Sequence, residues 1–221
     1  MTPPAAPAVD EPVLGDLADG DPAELTRDAD LYAVRYAGHE RPDDDVELAS
    51  ARLDTVAVEA LRAETLDLRG ARLGDVVLGR LDVTTLRAAR GRWRGVRVSG
   101  RLGVLEAYES ELQSVRLVGC RLGYVNLRSA ELTDVVLTDC VVDELDLGSA
   151  VLRRVALERT RVAGLDVQHA ELHDVDLRGA ELSTVAGLEG LRGATVSEQQ
   201  LTLLAPLLAA AIGLHVVPAE P

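Results

Sequence analysis

Residues 130–150 read AELTDVVLTDCVVDELDLGSA, and two series of residues recur in this stretch at fixed spacing. Apolar residues return every five positions, at Leu132, Leu137, Val142 and Leu147. Small residues return every ten positions, at Ala130, Cys140 and Ala150. An α-helix repeats about every 3.6 residues and a β-strand every two. A period of five therefore indicates a backbone that is neither a regular helix nor a long strand.

The five-residue period holds over 102–182, where sixteen of the seventeen central positions are Leu or Val. The position two residues before each centre alternates between a small residue and Val or Leu. Side chains alternate along an extended segment, so these two positions lie on the same side. The other three residues of each unit must then include a turn. Repeats of a short strand and a turn wind a solenoid, and the ten-residue alternation fits four sides, or about twenty residues per coil.

These units resemble the pentapeptide-repeat family, whose consensus is A-(D/N)-L-x-x. Matching units are AELTD (130–134), AVLRR (150–154), AELHD (170–174) and AELST (180–184). The resemblance covers about 46–190 and implies an all-β solenoid, a right-handed quadrilateral β-helix of about seven coils. Two features depart from the family. Members often carry Phe at the centre, whereas this chain has no Phe, and half of the positions before the centres are Val or Leu.

The five-residue frame continues less regularly back to Leu48. Only four residues separate the centres Val98 and Leu102, so one residue is missing at a corner. Trp93 falls on an inward position, and two interpretations are open. Either the small residues Ala88 and Ala107 make room for the indole inside the coil, or a local bulge turns Trp93 outward.

The regions outside the repeat predict two ends of different character. Residues 1–27 are acidic and rich in Pro and Ala, which predicts disorder. Residues 28–45 contain LYAVRYAG (31–38), a strand of an irregular first coil that caps the solenoid. Residues 191–221 are expected to form a helical C-terminal cap, since an open solenoid end invites aggregation.

The C-terminal segment 197–213 predicts a helix. Ser197 and Gln200 form a capping box, Gly213 suits the position after the helix, and Pro206 should kink the helix or divide it in two. The apolar residues exceed what one stripe can bury against the last coil, and a second copy of the helix would cover the excess. Some family members dimerise in this way, so the resemblance also implies a homodimer. The alternative is a single thick cap with an exposed patch. The residues expected at the dimer interface are Leu201, Leu204, Leu208 and Ile212.

The net charge of −14 is unevenly distributed, with −9 in 1–45, +4 in 46–101 and −8 in 102–190. Duplex DNA and anionic membranes should repel such a protein, so neither is expected as a direct partner. The N-terminus lacks the basic and apolar regions of a secretory signal, and no stretch is apolar enough to span a membrane. Two Cys do not form a disulfide framework. These features predict a cytoplasmic protein.

The sequence offers no catalytic constellation. His169 and His173 are four residues apart, but the repeat places them on different sides of a corner. Cys120 and Cys140 fall one coil apart in an inward column, which predicts buried, inert thiols. Carboxylates are abundant, yet no pair is distinguished as acid and base. We expect no enzyme activity, no cofactor and no metal.

The outer surface is therefore the candidate site. Residues twenty apart should stack in columns, and the acidic columns form a long negative strip on a stiff rod. The residues expected to bind a partner are Glu106, Glu111, Glu131, Asp134, Asp146, Asp166, Glu171 and Asp174. Some pentapeptide-repeat proteins, including actinobacterial ones, are DNA mimics that bind DNA gyrase and inhibit it or protect it from drugs and toxins. The resemblance, together with the charge, implies this function and a role in antibiotic resistance.

Two other hypotheses stay open. A charged exterior also suits an interaction scaffold whose partner is not a topoisomerase. The segment RAARGRWRGVRVSGR (87–101) contains six Arg and no acid, and such a cluster can grip an anionic partner.

Overall fold

The computed structural model describes residues 3–211, 213–215 and 217, and the side chains of residues 39–44 lie outside this description. In the described chain, sixteen strands wind into a right-handed quadrilateral β-helix of about 9 turns, and one C-terminal helix follows. The strands are β1 (Ala18–Asp19), β2 (Asp30–Tyr36), β3 (His39–Glu47), β4 (Arg52–Val58), β5 (Leu61–Asp67), β6 (Arg72–Arg87), β7 (Arg92–Glu106), β8 (Glu111–Val118), β9 (Arg121–Asn126), β10 (Glu131–Thr138), β11 (Val141–Asp146), β12 (Val151–Glu158), β13 (Thr160–Asp166), β14 (Glu171–Asp176), β15 (Ala180–Ala186) and β16 (Ala194–Thr195). Short 3-10 helices occupy Pro22–Glu24 and Leu188–Leu191, and α1 spans Glu198–Ala211. The predicted all-β solenoid with a helical cap is confirmed.

Strands of successive coils pair in parallel at an offset of twenty residues, as the repeat predicts. Leu132 lies beside Leu152, and Leu152 lies beside Leu172. All three are buried in one inward column, within a single core made chiefly of Leu, Val and Ala. The winding of about 9 turns exceeds the predicted seven coils and irregular first coil, because β1 and β16 add short strands at the two ends.

Left-handed backbone at the corners explains the period of five. In the coil 131–150, Asp134, Asp139 and Ser149 have φ angles of 56°, 54° and 57°. At the last of these corners, the Ala150 N–H donates to the Leu147 carbonyl at 3.0 Å and closes a tight turn. Each such residue redirects the chain after two inward side chains, so the next strand again points its centre inward.

The structure confirms that the repeat is one residue short between Val98 and Leu102. Leu78 pairs with Val98, but Leu81 pairs with Gly100, so the offset falls from twenty to nineteen. Gly100 has a φ of 124°, and a Cβ there would overlap the backbone of Leu81. Only glycine allows this close approach between coils.

Trp93 is buried on the inward face, so the interpretation that a bulge turns it outward is wrong. Gly91 occupies the neighbouring inward position. A Cβ on Gly91 would lie 3.3 Å from the indole Nε1 of Trp93. Because Gly91 has no side chain, it leaves room for the large indole ring of Trp93.

The N-terminal end is closed by an irregular coil. β2 matches the predicted strand, and the pairing of β3 with β5 shifts register between Arg41 and Asp45. Tyr36 is buried against Gly20, and its hydroxyl donates to Glu24 at 3.4 Å. Burial and the nearby Glu24 carboxylate raise the pKa of Tyr36 to about 12. Before this cap, residues 3–15 run in an extended conformation along the solenoid instead of showing the disorder that their composition predicts.

The C-terminal cap contains the predicted capping box. The Ser197 N–H donates to Gln200 Oε1 at 2.7 Å, and the Gln200 N–H donates to Ser197 Oγ at 3.2 Å. Gly213 follows the helix with a φ of 78°. Pro206 lies inside α1, which continues through it, so of the two predicted effects of Pro206 the division into two helices is wrong and the kink stays a prediction. The buried Gln200 side chain donates to the carbonyls of Leu177 and Ala180, which ties the helix to the last coil.

Candidate protein-binding surface

The two predicted acidic columns lie on neighbouring sides of the solenoid. Strand pairing aligns the first column on β7, β9, β11 and β13, and the second on β8, β10, β12 and β14. The first column is Glu106, Asn126, Asp146 and Asp166, and the second is Glu111, Glu131, Val151 and Glu171. Neighbouring strands are about 4.8 Å apart, so positions in a column repeat at that interval, and each column of four positions carries three carboxylates. The predicted stacking of these residues is confirmed.

Arginine neutralises much of the first column. The Arg128 Nη1 donates to both oxygens of Asp146, at 2.9 and 3.0 Å, and lies 3.8 Å from Asp166. The hydroxyl of Tyr124 also donates to Asp146, at 3.2 Å. Glu106 lies 3.8 Å from the guanidinium of Arg87. This side therefore presents paired charges more than free carboxylates.

The second column keeps two free carboxylates. Glu111 accepts a hydrogen bond from Arg92 at 3.2 Å. Glu131 and Glu171 are exposed, and within the described residues neither forms an ion pair. These two side chains are the part of the predicted strip that a partner can contact directly.

Asp134 and Asp174 differ from the expected free surface acids because other parts of the chain engage them. Asp134 is buried, and Arg154 donates to its two oxygens, each at 2.7 Å. The hydrogen bond from Arg154, together with its charge and the Ala8 N–H, lowers the pKa of Asp134 despite burial. Asp174 accepts the Ala5 N–H at 3.1 Å. Both residues therefore serve the structure of this chain.

Two exposed acids were not included in the predicted strip. Asp143 and Glu144 lie on β11, on the side next to the first column, and no ion pair involves either within the part of the chain that the structure describes. In the sequence, acids that form ion pairs are distinguished from these free acids by the residue twenty positions away, which lies beside them in the next coil. Asp134 and Asp139 have Arg154 and Arg159 at that offset, and both pairs form ion pairs. Asp143 and Glu144 have uncharged residues there.

The Arg-rich segment 87–101 does not form one basic patch. Its residues follow the winding of the coil, so their side chains emerge on all four sides. Arg87, Arg90 and Arg92 each pair with a Glu of the next coil, and Arg97 pairs with Glu11. A cluster in the sequence is thus dispersed by the solenoid, which disfavours the hypothesis of an anion-gripping segment.

The buried thiols behave as expected for core residues. Cys120 and Cys140 are buried, unlinked by a disulfide, and adjacent, with the Cys120 N–H donating to Cys140 Sγ at 3.4 Å. Hydrogen bonding with Cys140 and burial raise the pKa of the Cys120 thiol. His169 and His173 are exposed. Among the side chains that the structure describes, no His, Cys, Asp or Glu groups are arranged to hold a metal ion.

The apolar surface of α1 differs from the prediction. Leu204 is buried against its own coil and Leu208 is half-buried, so Leu204 is not available to a second copy. Ile212 lies outside the described residues. The exposed apolar side chains are instead Leu201, Leu203 and Leu207, at 52%, 71% and 42% exposure. The sequence missed Leu203 and Leu207 because the side of α1 that faces the coil was not fixed by the pattern alone.

A scan against models of protein families and a search of the curated proteins found no match to this chain. No helix in the described residues is both long and apolar enough to cross a membrane. The surface described above is therefore the basis for assigning a function.

Proposed function

We propose that this chain is a non-enzymatic pentapeptide-repeat protein that binds another protein through the acidic sides of its β-helix. The observation that carries the proposal is the register of the two acidic columns, which repeats carboxylates along a stiff rod. Among the described residues, the exposed acids without an ion pair are Glu131 and Glu171 in the second column, and Asp143 and Glu144 beside the first column. A rigid row of carboxylates binds a basic groove without the loss of conformational entropy that a flexible acidic tail would incur.

DNA gyrase is the partner that we propose, with the protein acting as a DNA mimic. Duplex DNA carries one negative charge per roughly 1.7 Å of its axis. Residues 102–190 carry a net charge of −8 over about 4.5 coils, or roughly 21 Å at about 4.8 Å per coil, so their negative charge per length is within about a factor of two of that of DNA. A groove that accepts DNA would then accept the rod if their shapes agree.

We also propose that two chains pair through α1. The exposed Leu203 and Leu207 are one turn apart on the same face of α1, at the end of the rod, where a second copy would cover them. Pairing at this end would bring together residues 102–190 of the two chains, which have a net charge of −8 each. Residues 46–101, with a net charge of +4 in each chain, would lie at the two outer ends of the dimer. The resulting dimer would double the length of the acidic surface.

The test reverses only carboxylates that hold no internal ion pair. We expect the double variant Glu131→Arg and Glu171→Arg to bind gyrase at least about tenfold more weakly than the wild type at low salt, because both charges lie on the binding surface. Binding of the wild type should also weaken steeply as salt is added. Surface plasmon resonance and a supercoiling assay provide the two measurements.

The matched control is Glu64→Arg with Glu189→Arg, which changes the net charge equally at exposed residues off the acidic columns. Retention of binding by this control locates the interaction on the columns. Equal loss in both variants would mean that total charge alone drives binding. Absence of wild-type binding at low salt would exclude gyrase and leave a scaffold with a different protein partner.

A further inference from the structure

The N-terminal residues 3–15 lie lengthwise along one corner of the solenoid. Four of their backbone N–H groups donate to side chains at the same corner position of different coils. The bonds run from Ala5 to Asp174 Oδ1 at 3.1 Å, from Ala8 to Asp134 Oδ1 at 2.9 Å, from Asp10 to Ser114 Oγ at 3.3 Å and from Val13 to Asp75 Oδ1 at 3.2 Å. The segment thus bonds to four side chains of one column, which extends over the coils from Asp75 to Asp174.

The spacing of this segment matches the pitch of the solenoid. Eight residues separate Ala5 from Val13, and five coils separate Asp174 from Asp75. A polyproline II chain rises about 3.1 Å per residue, which is about 25 Å for eight residues. Five strand spacings of about 4.8 Å amount to about 24 Å. The coils that the segment passes without a bond have Gly95 and Arg154 at the corner, and neither can accept one.

The side next to this corner is adapted to the segment. Val136 and Ala156 point outward by strand alternation, yet they are only 5% and 6% exposed. Arg116 lies next to Val136 in the strand pairing, and its Nη2 donates to the Val9 carbonyl at 3.1 Å. This hydrogen bond places the segment beside the column of Val136 and Ala156. Glu11 lies 2.9 Å from Arg97.

The same segment offers its own apolar residues at regular intervals. The half-buried residues of the segment are Pro4, Pro7, Val9, Pro12 and Leu14. Apolar cover, the ion pairs of Glu11 with Arg97 and Arg116, and a series of N–H donors are together the features of specific peptide recognition.

We propose that this side is a binding site for an extended, proline-containing peptide with one acidic residue, and that residues 3–15 occupy the site in cis. Every acceptor and cation of the site belongs to the coils, so the site is complete without the segment. The tether gives the segment an effective concentration in the millimolar range. A peptide in trans therefore binds only when the segment of the same chain is displaced or disabled.

The test uses the full chain and the synthetic peptide of residues 3–15 with a fluorescent label, followed by anisotropy. The variant Val9→Asp with Glu11→Arg disables the segment and leaves every coil residue unchanged. We expect saturable binding of one peptide per chain to this variant, and at least about tenfold weaker binding to the wild type, whose site is occupied.

Charge reversal provides the matched control. The full-length variant Arg97→Glu with Arg116→Glu repels Glu11 of its own segment and of the wild-type peptide. It should bind the peptide that carries Glu11→Arg, and it should bind the wild-type peptide at least about tenfold more weakly.

Three results would overturn the proposal. The peptide could fail to bind the segment-disabled variant while circular dichroism shows an intact solenoid. A peptide of the same composition in scrambled order could bind equally well. The charge-reversed pair could show no preference for its matched peptide, which would indicate that the contacts of Glu11 with Arg97 and Arg116 do not contribute to binding.

Discussion

At the scale of single residues, the fold depends on backbone conformations that most side chains disfavour. Left-handed φ angles recur at the corners, where the residues are often Asp, Ser, Arg or Gly. The left-handed region is unfavourable by roughly 1–2 kcal/mol for an ordinary residue. The strand ladders between coils must therefore hold each corner in place, and glycine is needed only where the next coil also approaches closely.

Gly100 is a corner where both demands meet, as they also do at Gly187 and Gly193. Replacing Gly100 by Ala should reduce the free energy of unfolding by about 3 kcal/mol or more, since backbone strain adds to overlap with Leu81. The matched control is Gly119→Ala, which has a φ of 61° and no neighbouring atom within 4 Å of the added methyl group. We expect a loss of about 1–2 kcal/mol there. Equal losses in urea denaturation would show that close approach at Gly100 is not limiting.

Buried acids should make stability depend on pH. Burial of Asp67 opposes ionisation, but hydrogen bonds from the side chain and backbone of Arg69 and the charges of Arg69 and Arg87 lower the pKa. The pKa values of Asp134 and Asp176 are also lowered, chiefly by hydrogen bonds from Arg154 and Arg178. Groups with lowered folded pKa values stabilise the protein above the unfolded value of about 3.9. This stabilisation is lost as the pH falls through the lower folded values.

The melting temperature should therefore be nearly constant above about pH 5 and fall below about pH 4. Asp67→Asn should reduce stability at pH 7 by about 1.5–3 kcal/mol, because a hydrogen-bonded buried charge is removed, and should flatten the acid limb. Asp143→Asn, at an exposed acid outside the ion pairs of the described residues, is the control. An unchanged acid limb in Asp67→Asn would contradict the assignment.

At the scale of elements, α1 has apolar side chains of two kinds, one that packs on the solenoid and others that are exposed. Leu204 closes the last coil, whereas Leu203 and Leu207 are exposed. We expect Leu203→Glu with Leu207→Glu to give a monomer with an unchanged melting temperature, since neither side chain is needed by the cap. Light scattering at micromolar concentration measures the assembly state.

Leu204→Glu is the matched control for the cap. A buried charge without a partner should destabilise the end of the solenoid by several kcal/mol. A wild type that is already monomeric would exclude pairing through α1. A Leu203 and Leu207 variant that melts like the Leu204 variant would show that the exposed residues also belong to the cap.

Elements that follow the local period were predictable from the sequence, and those that depend on distant partners were not. The inward columns, the missing residue before Leu102 and the capping box at Ser197 all follow from spacings of twenty residues or fewer. The course of residues 3–15 does not, because Pro and Ala alone indicate a chain with too little apolar surface to fold. Its order depends on acceptors such as Asp134 and Asp174, more than a hundred residues away.

At the scale of the whole molecule, the most negative coil lies between two coils of net positive charge. The coil 131–150 has six acids and no Arg, and each of its neighbours, 111–130 and 151–170, has a net charge of +2. Ion pairs cross these boundaries, such as Asp134 with Arg154 and Asp146 with Arg128. The candidate site was therefore predicted only in part. The sequence predicts which residues stack in each column. Which carboxylates are free depends on the ion pairs that each acid forms with the neighbouring coil.

The course of the N-terminal segment also orders events during synthesis. Ala5 and its acceptor Asp174 are 169 residues apart, and ribosomes add about 5–20 residues per second. The acceptor is therefore translated roughly 8–34 s after the donor. The segment leaves the ribosome before the coils but can dock along its full length only after the coil containing Asp174 has emerged. Complete docking thus marks a nascent chain that already contains this coil, and a chain released earlier would keep part of the segment undocked.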